Sequence, residues 1–336
     1  MERLLEALPF LAAPLAACLV IASLHCYMGL HVIKRGVIFV DLALAQAAAL
    51  GAAVALAITP LFCPEPHLDH GQGYTALLTE GQLAEQLKPT TDLTGATAGS
   101  DVDGDVTEPQ DHNAHEHSHA RLGYGMSLLF ALLGAVLLSF ARFSDERIPH
   151  EAVIGIVFVV CASLSVLILT KAPHGHEKME AMLVGSILFA SWRDVVAMLA
   201  LYVALGILHF AVRRHLIEIS EDLAAAERAG KRVRLWDCLF YGSFALMVTQ
   251  SVSIAGVFVV FSYLIIPGAC ASLFAQRFGA QLGIAWALSA AVTLFGLALS
   301  AVADMPTGPS LVSCFGAALV LCGLARAIVC KRSVAT

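Results

Sequence analysis

Residues 151–169 read EAVIGIVFVVCASLSVLIL, an apolar run whose one charged residue, Glu151, stands at its start. A helix rises about 1.5 Å per residue, so about 20 such residues cross the roughly 30 Å hydrocarbon core of a bilayer. Similar blocks recur along the 336-residue chain, which is 58% apolar and only 14% charged. Globular chains usually carry roughly 25% charged residues. The sequence therefore predicts an all-α, polytopic integral membrane protein and excludes a soluble one.

The apolar blocks predict nine transmembrane helices, near 8–30, 37–61, 124–141, 151–170, 195–212, 236–252, 254–275, 282–302 and 310–329. Cytoplasmic loops are enriched in Lys and Arg. Here the basic residues cluster in alternate connections, namely Lys34/Arg35, Arg142/Arg147, Arg213 through Arg234, Arg277 and Lys331/Arg332. This pattern places the N-terminus outside and the C-terminus in the cytoplasm. We expect a multi-pass protein of the cell (inner) membrane.

A shorter apolar stretch, residues 180–192, lies between the fourth and fifth spans. It is too short to cross a bilayer, so we predict a re-entrant or interfacial helix there.

Residues 63–122 form a hydrophilic insertion on the outer side of the membrane. Residues 63–121 hold eleven acidic residues and only two basic ones, Lys88 and Arg121. A segment rich in Gly, Thr, Pro and Asp, with few aromatic residues, buries too little apolar surface to offset the entropy of ordering it. We therefore expect this His/Asp-rich loop to be largely disordered. Because the negative charge is concentrated here, the net charge of −6 gives no reason to expect nucleic-acid binding.

Six histidines of the insertion are candidate metal ligands: His112, His115, His117, His119, His67 and His70. On a helix, His112, His115 and His119 share one face, whereas on a strand His115, His117 and His119 do. Either conformation gathers three imidazoles, which suit Zn²⁺ and similar metals. The alternative is a solvated linker whose histidines bind added metal only weakly.

Motifs for enzymatic chemistry are missing from the sequence. It contains no GxxxxGK[ST] phosphate-binding loop, so we expect the chain not to be an enzyme and not to hydrolyse ATP itself. His176-Glu177 begins an HExxH pattern but lacks the second histidine, which leaves a zinc protease unsupported. We expect no permanently bound cofactor.

Four segments carry a family resemblance: GLHVIKRGVIFVDLALAQAAALGAAVA (29–55), EAVIGIVFVVCASLSVLIL (151–169), SEDLAAAERAGKRV (220–233) with GVFVVFSYLIIPGACASLFA (256–275), and ADMPTGPSLV (303–312). Together they resemble the membrane permease subunit of the zinc/manganese/iron ABC importer family, over most of the chain outside the insertion. The resemblance implies a single permease domain over 1–336 that forms a homodimer in the lipid bilayer. It also implies cytoplasmic ABC ATPase subunits and an external metal-binding protein as partners.

Intramembrane residues are the next candidates, because an ionisable group inside a span is costly and is functional by default. Asp41 lies about two turns inside the membrane, and His25 lies at a similar depth, so we predict that they face one another across the first helical hairpin. Alternatively, Asp41 pairs with Arg35 or caps a helix. Family members often have Asp-x-x-x-His here, and Gln46 occupies the position of that histidine, where it suits a hydrogen bond between helices. Pro267 predicts a kink that lines the transport pathway.

The resemblance assigns residues 213–235 to a cytoplasmic coupling segment. We predict a helix from Ser220 to Ala229, with Ser220 as its N-cap and Glu221 and Asp222 in its first turn. Its charge suits docking on an ATPase subunit. The alternative is a solvated amphipathic linker.

The sequence thus favours a permease that moves a divalent transition metal, with Zn²⁺ as the expected ion, into the cytoplasm by alternating access. Two alternatives remain: a proton-coupled secondary metal carrier that uses Asp41 and His25, and a membrane metal sensor built around the His-rich loop.

Overall fold

In this computed structural model, the described residues are 2–62, 111–141, 149–172, 175–185, 187–221, 223–230 and 232–335. These ranges contain eleven α-helices and one short 3₁₀ helix, with no strand, as predicted for an all-α protein. The α-helices are α1 (Glu2–Arg35), α2 (Val40–Phe62), α3 (Asp111–Phe140), α4 (His150–Leu169), α5 (Gly175–Val184), α6 (Trp192–Glu221), α7 (Leu223–Arg228), α8 (Val233–Ala255), α9 (Val257–Phe274), α10 (Phe278–Ala303) and α11 (Thr307–Ala335).

Nine of the helices in the described ranges are long and apolar enough to cross a membrane, namely all except α5 and α7. This confirms the predicted number of spans. The largest difference from the predicted spans is at the end of α6. This helix has 30 residues and continues to Glu221 instead of ending near 212. The polar residues after 212 therefore extend a transmembrane helix and do not begin a separate one.

Between α4 and α6, the chain forms two short helices, α5 and the 3₁₀ helix Ile187–Phe189. The ten residues of α5 rise only about 15 Å, so α5 cannot cross a bilayer. The structure thus confirms a short, non-spanning segment, which begins before residue 180 and ends before residue 192.

One glycine separates α8 from α9, and it lies at a close contact with the end of α5. Gly256 has φ 78° and Gly185 has φ 71°, and a Cβ on Gly256 would lie 2.4 Å from the Gly185 nitrogen. Both the left-handed backbone and the contact require glycine. The predicted boundary at 252–254 was wrong by a few residues, because TQSVSIA continues the helical backbone of α8.

Helix α1 lies at the centre of the bundle and packs against α6, α9 and α10. Its crossing with α9 is unusually close, since a Cβ on Gly29 would lie 1.8 Å from the Leu264 carbonyl oxygen. Small residues at such crossings let helix backbones approach each other in membranes. In contrast, only 17% of the α4 span and 11% of the α11 span are buried.

The chain divides into two compact units, residues 1–57 with 122–336, and residues 58–121. In the second unit, the structure describes only the helical ends of α2 and α3, and residues 63–110 lie outside the described ranges. Helix α3 begins at Asp111 and not near 124, so the last residues of the insertion have a helical backbone. That the insertion is largely disordered stays a prediction.

Candidate functional site

Buried polar side chains follow the facing surfaces of α1, α6 and α8. They form a set that we call the polar column: His25, His31 and Arg35 on α1, Tyr202, His209 and Ser220 on α6, and Asp237, Ser243 and Ser251 on α8. His25 precedes Arg35 by ten residues, or about 15 Å along α1, so the column runs from mid-membrane to the end of the bundle that carries the basic residues. Polar groups in a membrane interior are expensive, so their alignment needs an explanation.

At mid-membrane, His25 contacts two hydroxyl groups. Its Nδ1 lies 3.0 Å from the Ile21 carbonyl oxygen, 3.4 Å from Tyr202 Oη, and its Nε2 lies 3.3 Å from Ser251 Oγ. A carbonyl oxygen only accepts hydrogen bonds, so the Nδ1–H of His25 donates to Ile21. This places the ring proton on Nδ1 and leaves Nε2 as an acceptor. The hydroxyl of Ser251 lies beside Nε2 but donates its one hydrogen to the Met247 carbonyl oxygen at 2.8 Å, so it does not occupy the Nε2 lone pair. A neutral imidazole nitrogen with a free lone pair is the form that binds metals.

Asp41 lies in the first turn of α2 and is 1% exposed. Neither of its carboxylate oxygens has a hydrogen-bond partner among the described residues. The positive end of the α2 dipole favours a negative charge at this position, and the carboxylate lies within electrostatic reach of Tyr202. Asp41 is therefore a buried carboxylate with unused ligating oxygens.

No described hydrogen bond joins Asp41 to His25, since neither oxygen of Asp41 has a partner among the described residues. His25 contacts Ile21, Tyr202 and Ser251 instead. The alternative pairing of Asp41 with Arg35 is also not found among the described contacts, where Arg35 Nη1 bonds Asp237 Oδ1 at 2.8 Å.

Farther toward the basic end, His209 Nε2 lies 2.7 Å from Ser243 Oγ. The hydroxyl of Ser243 donates to the Phe240 carbonyl oxygen at 2.9 Å. Because that hydroxyl has one hydrogen, Nε2 of His209 carries the donated proton in this arrangement. This level of the column joins α6 to α8.

At the basic end, the Arg35–Asp237 ion pair is buried, with side-chain exposures of 3% and 2%. Arg35 Nε also donates to Ser220 Oγ at 2.9 Å, and its guanidinium lies 4.1 Å from the centre of the Phe240 ring. His31 Nδ1 lies 2.9 Å from the same Ser220 oxygen. These contacts hold the ends of α1, α6 and α8 together.

Two predicted coupling residues belong to this cluster and not to a docking helix. Ser220 is buried in the last turn of α6, and its hydroxyl donates to the Leu216 carbonyl oxygen, so the prediction that it is an N-cap is wrong. Glu221 Oε1 lies 3.0 Å from Lys34 Nζ. Asp222 lies outside the described residues. The separate short helix begins only at Leu223.

Pro267 lies inside α9 and is buried. A proline lacks the N–H that would bond the carbonyl four residues earlier, and this carbonyl, on Tyr263, lies 3.9 Å from the Cys26 thiol. The structure describes no hydrogen bond for the side chain of Gln46, which is 9% exposed. The predicted inter-helix bond of Gln46 is therefore not found among the described contacts.

The predicted metal-binding histidines lie outside the part of the chain whose side chains the structure describes. His67 and His70 lie outside the described residues, as do the side chains of His112, His115, His117 and His119. The backbone of residues 111–120 is helical, which selects the helical alternative for positions 112, 115 and 119. Among the side chains that are described, no three His, Cys, Asp or Glu residues group as a metal site.

Sequence reasoning missed Tyr202, His209 and Asp237. Their signal was present, because each is a polar residue within or at the edge of an apolar block. On α6, Tyr202 and His209 are seven residues apart, which places them on one helical face. That periodicity identifies a polar face but not its partners.

A sequence model of the ABC 3 transport family matches residues 123–326. The chain is 27% identical over 198 residues to the manganese transport system membrane protein MntB of Synechocystis, covering 57% of this chain and 64% of that protein. It is 26% identical over 185 residues to the high-affinity zinc uptake system membrane protein ZnuB of Haemophilus influenzae, covering 53% and 68%. The chain thus spans less than two thirds of the length of the manganese relative.

The fold is also similar to the solved structure of PsaBC from Streptococcus pneumoniae in complex with Fab. The TM-score is 0.65 at 17% sequence identity, and the superposition covers 95% of this chain and 93% of that chain. At this identity the similarity concerns the fold alone.

Proposed function

The chain belongs to the ABC 3 transport family of multi-pass membrane permeases, and on that premise we propose that it is the membrane subunit of an ABC-type metal importer. It moves a divalent transition metal into the cytoplasm by alternating access. The observation that carries this proposal is Asp41, a buried carboxylate whose two oxygens have no partner among the described residues. A buried anion without a partner suits a cation that binds transiently and leaves.

The ion passes near Asp41 and the lone pair of His25 Nε2, although the two side chains do not touch. One carboxylate and one imidazole form a sparse ligand set. A sparse set suits a permease, because an ion that is bound too tightly is not released. Gln46 and Pro267 have a lesser part in this proposal, since Gln46 makes no described bond and Pro267 is buried inside α9.

Zn²⁺ is the expected ion because of the histidines of the insertion. The helical backbone at 111–120 supports this choice, because positions 112, 115 and 119 have the spacing of one helical face, on which three imidazoles would share a metal ion. Imidazole favours zinc over Mg²⁺ and Ca²⁺, which prefer oxygen ligands. One relative is named as a manganese transport protein and another as a zinc uptake protein. The choice of zinc is therefore tested by comparing the uptake of the two ions.

ATP hydrolysis takes place on separate cytoplasmic ABC ATPase subunits, and an external metal-binding protein delivers the ion to a permease homodimer. The ATPase docks on the connection after α6, where α7 and the exposed residues Arg232 and Arg234 are presented. Ser220 and Glu221 lie between this connection and α1, so movement of the connection is transmitted to α1 through Ser220 and Arg35.

The proposal is tested by reconstituting the chain in vesicles with and without its ATPase. We expect metal uptake only with the ATPase and ATP. Robust uptake by the chain alone, driven by a proton gradient, contradicts the importer and supports a secondary carrier.

Replacing His112, His115, His117 and His119 by Ser tests the choice of metal separately. It should raise the zinc concentration for half-maximal uptake and leave the maximal rate nearly unchanged. The matched control replaces four polar residues elsewhere in the insertion: Thr90, Thr91, Thr94 and Thr97.

A further inference from the structure

An apolar groove of about 440 Å³ lies on the surface of the bundle where α1, α6 and α10 meet. Its walls include Val203, Phe210 and Trp286, whose exposures are 52%, 67% and 46%. Gly206 opens the α6 wall, since a Cβ at this position would meet nothing within 4 Å. In a membrane protein, such a surface faces lipid chains or another membrane-spanning segment.

Two buried polar atoms lie beneath the floor of the groove. Tyr27 Oη and His209 Nδ1 are both buried, and neither has a hydrogen-bond partner among the described residues. The two rings meet edge to face, with centroids 5.7 Å apart. A buried polar atom without a partner costs free energy, and native proteins usually satisfy it. The floor therefore predicts that the occupant of the groove carries polar atoms as well as an apolar chain.

Positive charge lies at one end of the groove. Arg213 contributes to the lining, with its guanidinium 3.9 Å from the centre of the Phe210 ring. None of the described residues that line the groove is acidic. Arg213 lies about 30 Å along α6 from Trp192, so it reaches the depth at which lipid phosphates lie on the basic side of the membrane. Basic residues mark this side as the cytoplasmic one.

We propose that the groove is a binding site for one anionic phospholipid of the cytoplasmic leaflet. An acyl chain lies along Val203 and Gly206, and the phosphate pairs with Arg213. On binding, the Tyr27 side chain shifts outward so that its buried hydroxyl donates a hydrogen bond to an ester oxygen. The apolar walls, the unpartnered polar atoms beneath the floor and the guanidinium each match one part of such a lipid. The site does not depend on which ion is transported.

The test measures lipid affinity by native mass spectrometry of the full chain in detergent, titrated with dioleoylphosphatidylglycerol or dioleoylphosphatidylcholine. Arg213→Gln should weaken binding of the anionic lipid about tenfold, the usual effect of losing a charged hydrogen bond, with little effect on the choline lipid. Its matched control, Arg326→Gln, removes an exposed arginine from α11. Gly206→Leu fills the groove and should abolish retention of both lipids. Gly323→Leu, also open at its Cβ, should not.

Tyr27→Phe provides a variant that preserves packing, because it removes only the hydroxyl. It should reduce the thermal stabilisation that the anionic lipid gives to the protein. Equal affinities for both lipids, or equal effects of Arg213→Gln and Arg326→Gln, would overturn the proposal. So would a disulfide-linked dimer formed through Val203→Cys in membranes, because a second copy of the chain would then cover the groove.

Discussion

The two buried aspartates of the bundle, Asp237 and Asp41, have opposite surroundings. Asp237 is bonded at 2.8 Å to Arg35, which also holds Ser220. Asp41 is equally buried, yet neither of its oxygens is bonded among the described residues. A buried charge with a full set of partners stabilises one arrangement of helices, whereas an unsatisfied one remains available to a ligand. We infer that Asp237 supports the bundle and that Asp41 serves the ion.

The largest expected effect is the loss of folded protein when the Arg35–Asp237 ion pair is broken. Asp237→Asn breaks the buried ion pair with Arg35, and removing one partner of a buried pair in this way costs about 3–5 kcal/mol. We expect a large loss of folded protein in the membrane, measured by the monodisperse fraction after detergent extraction. The double variant Arg35→Leu/Asp237→Leu, which removes both charges, should recover part of that loss. Normal amounts of stable Asp237→Asn protein would contradict the structural role.

Asp41→Asn should leave the amount and thermal stability of the protein nearly unchanged, because it preserves size and no described hydrogen bond is broken. Uptake at limiting metal should fall at least about tenfold, since a neutral amide attracts a cation far less than a carboxylate does. Asp304→Asn, at the C-cap of α10, is a control with the same chemical change. Unchanged uptake in Asp41→Asn would return this residue to a structural role.

Ser220→Ala is a milder change in the cluster around the Arg35–Asp237 ion pair, because it removes no charge. The hydroxyl of Ser220 lies 2.9 Å from both Arg35 Nε and His31 Nδ1, so its removal costs about 1 kcal/mol for each lost bond. We expect a lower melting temperature and an unchanged metal concentration for half-maximal uptake. Ser253→Ala, an exposed serine on α8 that bonds only its own helix, is the control. A changed half-saturation without a change in stability would show that the cluster contacts the ion.

The sequence was sufficient to predict the nine spans and the short segment before α6, because burial of about 20 apolar residues in a bilayer depends on local composition. The sequence was insufficient to predict which side chains of different helices contact one another. Arg35 and Asp237 are 202 residues apart, and their contact depends on how α1 and α8 are rotated and packed. The end of α6 was missed for a related reason: charged residues such as Arg213, Arg214 and Glu218 interrupt the apolar pattern after residue 212, yet the backbone continues the helix to Glu221, where it contacts α1.

The smallest expected effect on stability is that of replacing Glu221. This residue lies where the cluster around the Arg35–Asp237 ion pair meets the proposed coupling segment. The Lys34–Glu221 bridge is partly solvated, with side-chain exposures of 22% and 57%, so Glu221→Gln should cost at most about 1 kcal/mol of stability. Lys34→Gln breaks the same bridge from the other side and serves as its matched control. If Glu221 only fastens α6 to α1, both variants should lower ATPase retention during copurification by the same small amount. If the Glu221 carboxylate itself contacts the ATPase, Glu221→Gln alone should lower it severalfold. A lower ATPase retention in Glu221→Gln than in Lys34→Gln would therefore show that the docking surface includes Glu221. Equal retention in the two variants would show that the docking surface begins at α7.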